Sequence, residues 1–234
     1  MLEDKIEKKS LTIESRYERK YVVPVSSEFL TSWLLAHPAL IKKQYPTKNV
    51  HSLYLDTPDL TTATHVLDGV ANRFKIRLRW YNQKNTIEAL RFELKSRHGE
   101  VIQKQVQSVL LKSAIDVDDL IVDPLKFFRL STNPSRRSVY NYLRCWRPSV
   151  LVSYERSYYI DDSGQVRITV DVNTTTTRLF SNNQFQASQG DLGIIILELK
   201  YQTTAEQTAT KIMQSIPISV SRHSKYLFGV LAGV

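Results

Sequence analysis

Arg73-Phe74-Lys75-Ile76-Arg77-Leu78-Arg79-Trp80-Tyr81 alternates basic and apolar side chains without a break. Successive residues of a β-strand point to opposite faces, so Phe74, Ile76, Leu78 and Trp80 share one surface while Arg73, Lys75, Arg77, Arg79 and Tyr81 share the other. The stretch therefore predicts a strand with one face made for packing and one made of cations. Outward from it the same arrangement returns, with charged residues two apart across one apolar residue: Glu18-Arg19-Lys20, Glu93-Leu94-Lys95 and Glu198-Leu199-Lys200. Each pair projects two ionisable groups onto one face.

The neighbouring segments place these strands in an antiparallel context. A strand over 15–23 stops at Pro24, and one over 50–56 is closed at Pro58. Residues 89–97 oppose Phe92 and Leu94 to Arg91, Glu93, Lys95 and Arg97, and His98-Gly99-Glu100 turns into a strand at 101–106. Strand patterns resume at 150–160 and 165–172 around the turn Asp161-Asp162-Ser163-Gly164, with further strands at 176–180 and 194–201. Ser26 or Ser27 can cap a helix through His37 whose apolar stripe is Phe29, Leu30, Trp33 and Leu34. Short helices are expected at 59–69, 108–114 and 135–146. Thr203 three residues before Glu206 forms a capping-box pattern for a helix reaching Ser215, followed by a basic tail at 221–226. The expected class is α+β: one domain over 15–234, preceded by a polar lead-in at 1–14. A closed antiparallel β-barrel with peripheral helices would hide the strand edges.

Bulk properties limit the partners. The 234 residues carry 42% hydrophobic and 24% charged side chains, ordinary for a folded chain, and 32 Lys and Arg against 23 Asp and Glu leave a formal charge of +9. That balance favours an anionic partner without choosing it. The single Cys145 excludes an internal disulfide and a Cys-rich zinc site, and fits a reducing compartment. No signal-peptide core or membrane-length apolar run is present, so the expectation is a cytoplasmic protein, associated with the inner face of a membrane only through another chain.

The charged faces are either the wet side of ordinary sheets or the lining of a cavity. Arginine outnumbers lysine at Arg73, Arg77, Arg79, Arg91, Arg97, Arg156 and Arg167, and its rigid multi-donor head suits phosphate oxygens as well as surface ion pairs. Acids recur sparsely at Glu18, Glu93 and Glu198, so a basic cavity could still hold a divalent ion. Glu198 is the favoured single ligand, on an apolar strand and on one face with Lys200; its plainer role is an intra-sheet ion pair. Ser224 and Lys225 could serve a phosphate or simply solvate a surface, and His223 is a weak acid–base candidate. No Walker loop, dinucleotide glycine fingerprint or Cys-His metal spacing appears, and the absence of helix-turn-helix or zinc-finger spacing disfavours nucleic acid.

Taken in order, Tyr17-Glu18-Arg19-Lys20-Tyr21, Leu53-Tyr54-Leu55-Asp56, Lys75 to Tyr81, Phe92-Glu93-Leu94-Lys95, Val152-Ser153-Tyr154-Glu155-Arg156, Arg167-Ile168-Thr169-Val170-Asp171, Leu197-Glu198-Leu199-Lys200 and Ser224-Lys225-Tyr226 resemble the polyphosphate-polymerase domain of the VTC family, within the triphosphate tunnel metalloenzymes. The resemblance implies an antiparallel β-barrel forming a phosphate-binding tunnel. It also implies a metal-dependent transfer of the ATP terminal phosphoryl group to a growing inorganic polyphosphate chain, with release of ADP. By the same resemblance Arg77, Arg79, Lys95, Arg156, Arg167 and Lys200 would act on the phosphates in catalysis, Lys20, Tyr154, Ser224 and Lys225 would bind substrate, and Glu198 would ligate Mn2+ or Mg2+. Orthophosphate or pyrophosphate could prime the polymer.

One departure bears on the activity. The superfamily often carries alternating glutamates before the first lysine, whereas position 16 is Arg16, which lessens the case for a generic triphosphatase with several amino-terminal acids around metals and fits the more basic polymerase branch. No SPX-like domain or membrane helix accompanies the domain here, which fits a free-standing version. A phosphatase acting on inorganic triphosphate or a nucleoside triphosphate, and a non-catalytic polyphosphate-binding protein, are the alternatives.

Overall fold

A computed structural model describes residues 16–24, 26–99, 101–126, 145–179, 193–216, 221 and 223–231. The lead-in expected at 1–14, nearly all of the helix expected at 135–146 and the loop around Gly190 lie outside these residues. Among the described residues eight strands form: β1 (Arg16–Val23), β2 (Lys42–Asp56), β3 (Asn72–Tyr81), β4 (Thr86–His98), β5 (Val101–Asp116), β6 (Arg147–Ile160), β7 (Arg167–Arg178) and β8 (Ile195–Gln202). The helices are α1 (Ser27–Leu35), α2 (Thr61–Leu67), α3 (Val117–Val122), α4 (Glu206–Gln214) and α5 (Lys225–Leu231). None is long and apolar enough to cross a membrane.

The strands make one antiparallel sheet in the order β1-β8-β7-β6-β2-β3-β4-β5. The α+β class holds, but the expected closed β-barrel does not form: no backbone ladder joins β1 to β5, and both remain edges. The sheet curls far enough for Lys95 on β4 to reach Glu18 on β1 at 3.0 Å, so a side-chain ion pair spans the seam where a barrel would have a ladder. Alternation along each strand specifies which side chains share a face; it carries no information about whether the last strand returns to the first.

The apolar faces point outward and are covered. Under α1 and α4, Leu30, Leu34, Ala209 and Ile212 pack on Tyr21, Ile168, Leu197 and Leu199. Under α3, Leu120 and Ile121 join Leu53, Ile76, Leu78, Trp80 and Phe92, so the alternation that opens the sequence resolves with its apolar side in this core. Ser26 caps α1, its hydroxyl accepting from the Phe29 amide at 3.2 Å, although Phe29 itself is exposed and leaves the expected stripe.

Three segments differ from expectation. Residues 108–114 continue β5 instead of forming a helix, because Val109 and Leu111 are buried while Leu110 between them is exposed: the period is two. Thr203 opens a 3-10 turn, Thr203–Ala205, and supplies no side-chain cap to α4. The basic tail continues into α5, which docks inside the curl. There Tyr226 and Val230 pack on Val50, Tyr54, Val150 and Val152, on the same face of β6 that carries Tyr154 and Arg156. Gly229 permits this approach, since a Cβ there would lie 2.5 Å from Val150 Cγ1. Asp56 fastens the assembly. Its fully buried carboxylate accepts from the amides of Thr57, Thr62 and Ala63 at 2.8–3.0 Å and from the Tyr226 hydroxyl.

Candidate phosphate-binding cavity

The concave face of the sheet encloses a cavity of about 580 Å³. Every position given a catalytic, substrate or metal role by the resemblance lines it: Lys20, Arg77, Arg79, Lys95, Tyr154, Arg156, Arg167, Glu198, Lys200, Ser224 and Lys225. The charged side of the strands is thus a lining, not a wet outer surface. Two of the arginines expected on that side do not reach it. Arg73 donates to the Val70 carbonyl at 2.5 Å and Arg97 to the Gly99 carbonyl at 2.7 Å, so both tie strand ends to turns.

Eleven Lys and Arg residues line the cavity against three carboxylates, Glu18, Glu93 and Glu198, with the carboxylate of Asp171 immediately behind. The anions organise the cations into groups. Glu93 accepts from Arg77 Nε at 2.7 Å and lies 3.7 Å from Arg79 and 3.2 Å from Lys104. Burial works against its charge, but Arg77, Arg79 and Lys104 outweigh burial and hold its pKa well below the usual carboxylate range. Arg79 is further fixed by Ser52 and by the Tyr154 hydroxyl, each at 3.1 Å. Arg77 also donates to Tyr54 at 3.0 Å. Burial pushes the Tyr54 phenol up, yet Arg77, Arg79 and Lys75 bring it down to about 8.

On the facing wall, Arg156 makes a two-pronged contact with Asp171 at 2.6 and 2.7 Å, and Lys225 reaches the same carboxylate at 2.6 Å. Asp171 is lowered to about 2 because Arg156 and Lys225 overcome the opposing effect of its burial. Glu198, 5% exposed, is held by Lys200 at 2.9 Å, Lys20 at 3.6 Å, Arg156 at 3.7 Å and the Thr169 hydroxyl at 3.5 Å. Burial opposes its ionisation, and Lys200 and Lys20 reverse that, keeping it a carboxylate. Lys20 spans Glu198 and Glu18, at 3.1 Å from the latter, following the β1–β8 register in which Lys20 faces Glu198 and Glu18 faces Lys200.

Lys75 stands apart. Its ammonium donates to Ser224 Oγ at 2.9 Å and meets no carboxylate among the described residues. Burial lowers its pKa to about 8; Tyr54 pulls the other way, and Lys20, Lys95 and Arg73 add like-charge repulsion. Lys104 likewise falls to about 8, through burial and the neighbouring arginines. Burial and the cations Lys225 and Lys20 depress His223 to about 4, leaving a neutral imidazole in the lining.

The sequence underweighted several of these groups. Lys75, Glu18, Glu93, Tyr54 and Asp171 all stand within the strand motifs, but a one-dimensional pattern gives no way to pair Asp171 with Lys225, fifty-four residues on. Lys104 has only the alternation of β5 as a signal, and its register opposite Lys95 exists only once β4 and β5 pair.

A divalent cation would find hard oxygen donors at Glu198 and Glu18, whose carboxylates share Lys20. No group of three or more potential His, Cys, Asp or Glu ligands assembles among the described residues. That donor set suits an ion that binds through one or two carboxylates and completes its shell with water and phosphate oxygens, as Mg2+ does.

Two solved structures share the architecture. One is HpAC1 of Hippeastrum, a proposed adenylyl cyclase described as having a dominant triphosphatase activity. It is 15% identical, with 91% of this chain and 93% of that chain covered and a TM-score of 0.50. The other, a proposed adenylate cyclase of Vibrio parahaemolyticus, is 13% identical, with 90% and 95% covered and a TM-score of 0.50. No curated protein matches the chain. The VTC domain family matches residues 15–233, nearly the whole length. The order of basic strands and the cavity they line thus coincide with a family assignment, and the chain belongs to the VTC-domain family.

Proposed function

We propose that the cavity binds the triphosphate end of a nucleoside or inorganic substrate and transfers its terminal phosphoryl group to water. The observation that carries this is the charge of the lining, eleven cations against three carboxylates in a space of about 580 Å³. A triphosphate, with more ionised oxygens than a mono- or diphosphate, offsets more of that positive excess than they do. The triphosphatase activity described for HpAC1, a protein of like fold, supports the same chemistry.

In this mechanism Arg77, Arg79 and Arg156 grip phosphate oxygens with guanidinium groups already aimed by Glu93, Ser52, Tyr154 and Asp171. Orientation before binding removes the reorganisation that water would require as charge moves toward the bridging oxygen. Lys20, Lys95, Lys200 and Lys225 add mobile positive charge, while Lys75 and Ser224 hold one phosphate between an ammonium and a hydroxyl. Arg167 lines the cavity from the first position of β7, in register with Lys200. Glu198, with Glu18, would hold Mg2+ or Mn2+, which would supply Lewis-acid polarisation of the phosphate oxygens. Water attacks the terminal phosphorus, the bond to the bridging oxygen breaks, and orthophosphate leaves with the shortened phosphate. No protein nucleophile takes part.

Transfer to a growing polyphosphate chain, with ADP as the product, is a second reading favoured by the VTC-domain match. The test is product analysis after incubation with ATP or inorganic tripolyphosphate and Mg2+ or Mn2+. Orthophosphate released in step with substrate loss is expected; acid-stable polymer with ADP would favour the second reading. Tight binding with neither product would overturn both and leave a phosphate receptor.

A further inference from the structure

Among the described residues six lysines line the cavity, and five of them meet a carboxylate. Lys20 and Lys95 reach Glu18 at 3.1 and 3.0 Å, Lys104 reaches Glu93 at 3.2 Å, Lys200 reaches Glu198 at 2.9 Å and Lys225 reaches Asp171 at 2.6 Å. Lys75 is the sixth. Its ammonium has Ser224 Oγ, at 2.9 Å, where the others have an acid. It stands on β3 two residues before Arg77, on the same face and about 6.6 Å away along the strand. A carboxylate partner stabilises an ammonium against loss of its proton, and a neutral hydroxyl does so far less.

The groups that face Lys75 work in the same direction. Tyr54 on β2 favours its charge, whereas burial, Lys20 on β1, Lys95 on β4 and Arg73 on its own strand oppose it, and beyond Ser224 the Lys225 ammonium is turned to Asp171. With burial the largest cause the pKa falls to about 8, so at pH 7 about 10% of the amine is neutral, roughly 300-fold more than in a solvated lysine. Lys104 falls as far but stays tied to Glu93. An amine that donates one N–H to Ser224 keeps its lone pair for an electrophile. A small electrophile carrying a phosphate would be docked by the cations that activate this amine, the setting in which a desolvated lysine acts as a nucleophile.

We propose that Lys75 is an acylation site within the cavity, modified by acyl phosphates, the mixed anhydrides of a carboxylic acid and phosphoric acid. The proposal rests on the cavity's being a phosphate site. The phosphate of the anhydride seats on Arg77 and the neighbouring ammonium groups and brings the acyl carbon to Lys75 Nζ. The neutral amine attacks that carbon, the bond from the acyl carbon to the bridging oxygen breaks, and orthophosphate leaves with the electron pair. The surplus proton on nitrogen passes to the departing phosphate, and Lys75 becomes an uncharged amide. The lining then lacks one of its eleven cations, and tripolyphosphate binds about tenfold more weakly, as expected for losing a charge-assisted contact.

The test treats the intact chain with acetyl phosphate at pH 8 and follows acetylation of each lysine by peptide mass spectrometry, with phenyl acetate as an acyl donor that lacks phosphate. With acetyl phosphate, Lys75 should react about tenfold or more faster than Lys104 and the exposed Lys43. Inorganic tripolyphosphate should suppress that reaction, and the lead of Lys75 should shrink with phenyl acetate. Calorimetry should then read weaker tripolyphosphate binding in the acetylated chain, and no change on the same treatment of Lys75→Arg, which keeps the charge and offers no amine. Equal labelling of the lysines, an undiminished lead with phenyl acetate, or a lead that tripolyphosphate does not suppress would overturn the acylation site while leaving the phosphate site standing. Failure of the untreated chain to bind tripolyphosphate would overturn the phosphate site and this proposal with it.

Discussion

Replacing Lys75 by methionine removes the one inward cation of β3 that has a hydroxyl partner and no carboxylate, and its consequence depends on pH. In the empty cavity burial and surrounding cations lower Lys75 to about 8, below the ordinary 10.5. A bound polyphosphate reverses the local field and restores the ammonium, so binding above pH 8 takes up a proton. The sign follows: affinity is undiminished below about pH 8 and falls as pH rises through it. Lys75 is about 90% protonated at pH 7 and about 10% at pH 9, so it alone should weaken tripolyphosphate binding about tenfold over that interval. Lys104, also at about 8, adds a comparable loss. Calorimetry at pH 7 and pH 9 in the intact chain and Lys75→Met isolates the Lys75 share, because the ligand's own titration is common to both. The variant should bind roughly tenfold more weakly at pH 7, as expected for losing a charge-assisted contact, and the two curves should converge by pH 9. Parallel curves would refute the assignment of a depressed ammonium to this position.

Two further substitutions probe the frame that holds the cations. Glu198→Gln leaves Lys20, Lys200 and Arg156 around a neutral amide, so the ligand-free protein should lose about 3–5 kcal/mol in urea unfolding, with tripolyphosphate restoring a larger share of stability than in the parent; unchanged stability would show that the cluster is not coupled through this carboxylate. Gly229→Ala places a methyl group 2.5 Å from Val150 Cγ1 and should cost about 1–3 kcal/mol while weakening tripolyphosphate binding through displacement of Ser224 and Lys225. Stability and affinity both at parental levels would mean that α5 docks less tightly than its packing implies.

Where the sequence misled, local and global demands diverge. Val109-Leu110-Leu111-Lys112 supports a helical turn or a strand equally in isolation, and only the long partner β4 draws it into the sheet. His223, Ser224 and Lys225 look like the start of a solvated tail until Tyr226 finds Asp56 and stacks on Tyr54 at 5.0 Å. The barrel expectation failed for a related reason. Closure depends on the summed curl of eight strands, and here Glu18 and Lys95 meet across a seam with no ladder between the edges.

Alternation in Arg73 to Tyr81 and its echoes in β1, β4 and β8 determined, from sequence alone, these strands, the separation of an apolar from an ionic face, and which cations share that ionic face, Arg73 and Arg97 sharing it without reaching the cavity. A period of two is a local property of the backbone, and it is written residue by residue. Only the tertiary structure decided that the ionic face turns inward, that α5 fills one end of the curl, and that four carboxylates share out the cations. Those outcomes depend on curvature and on pairings between distant strands, so the same charges acquire unequal pKa values and roles according to depth and neighbour.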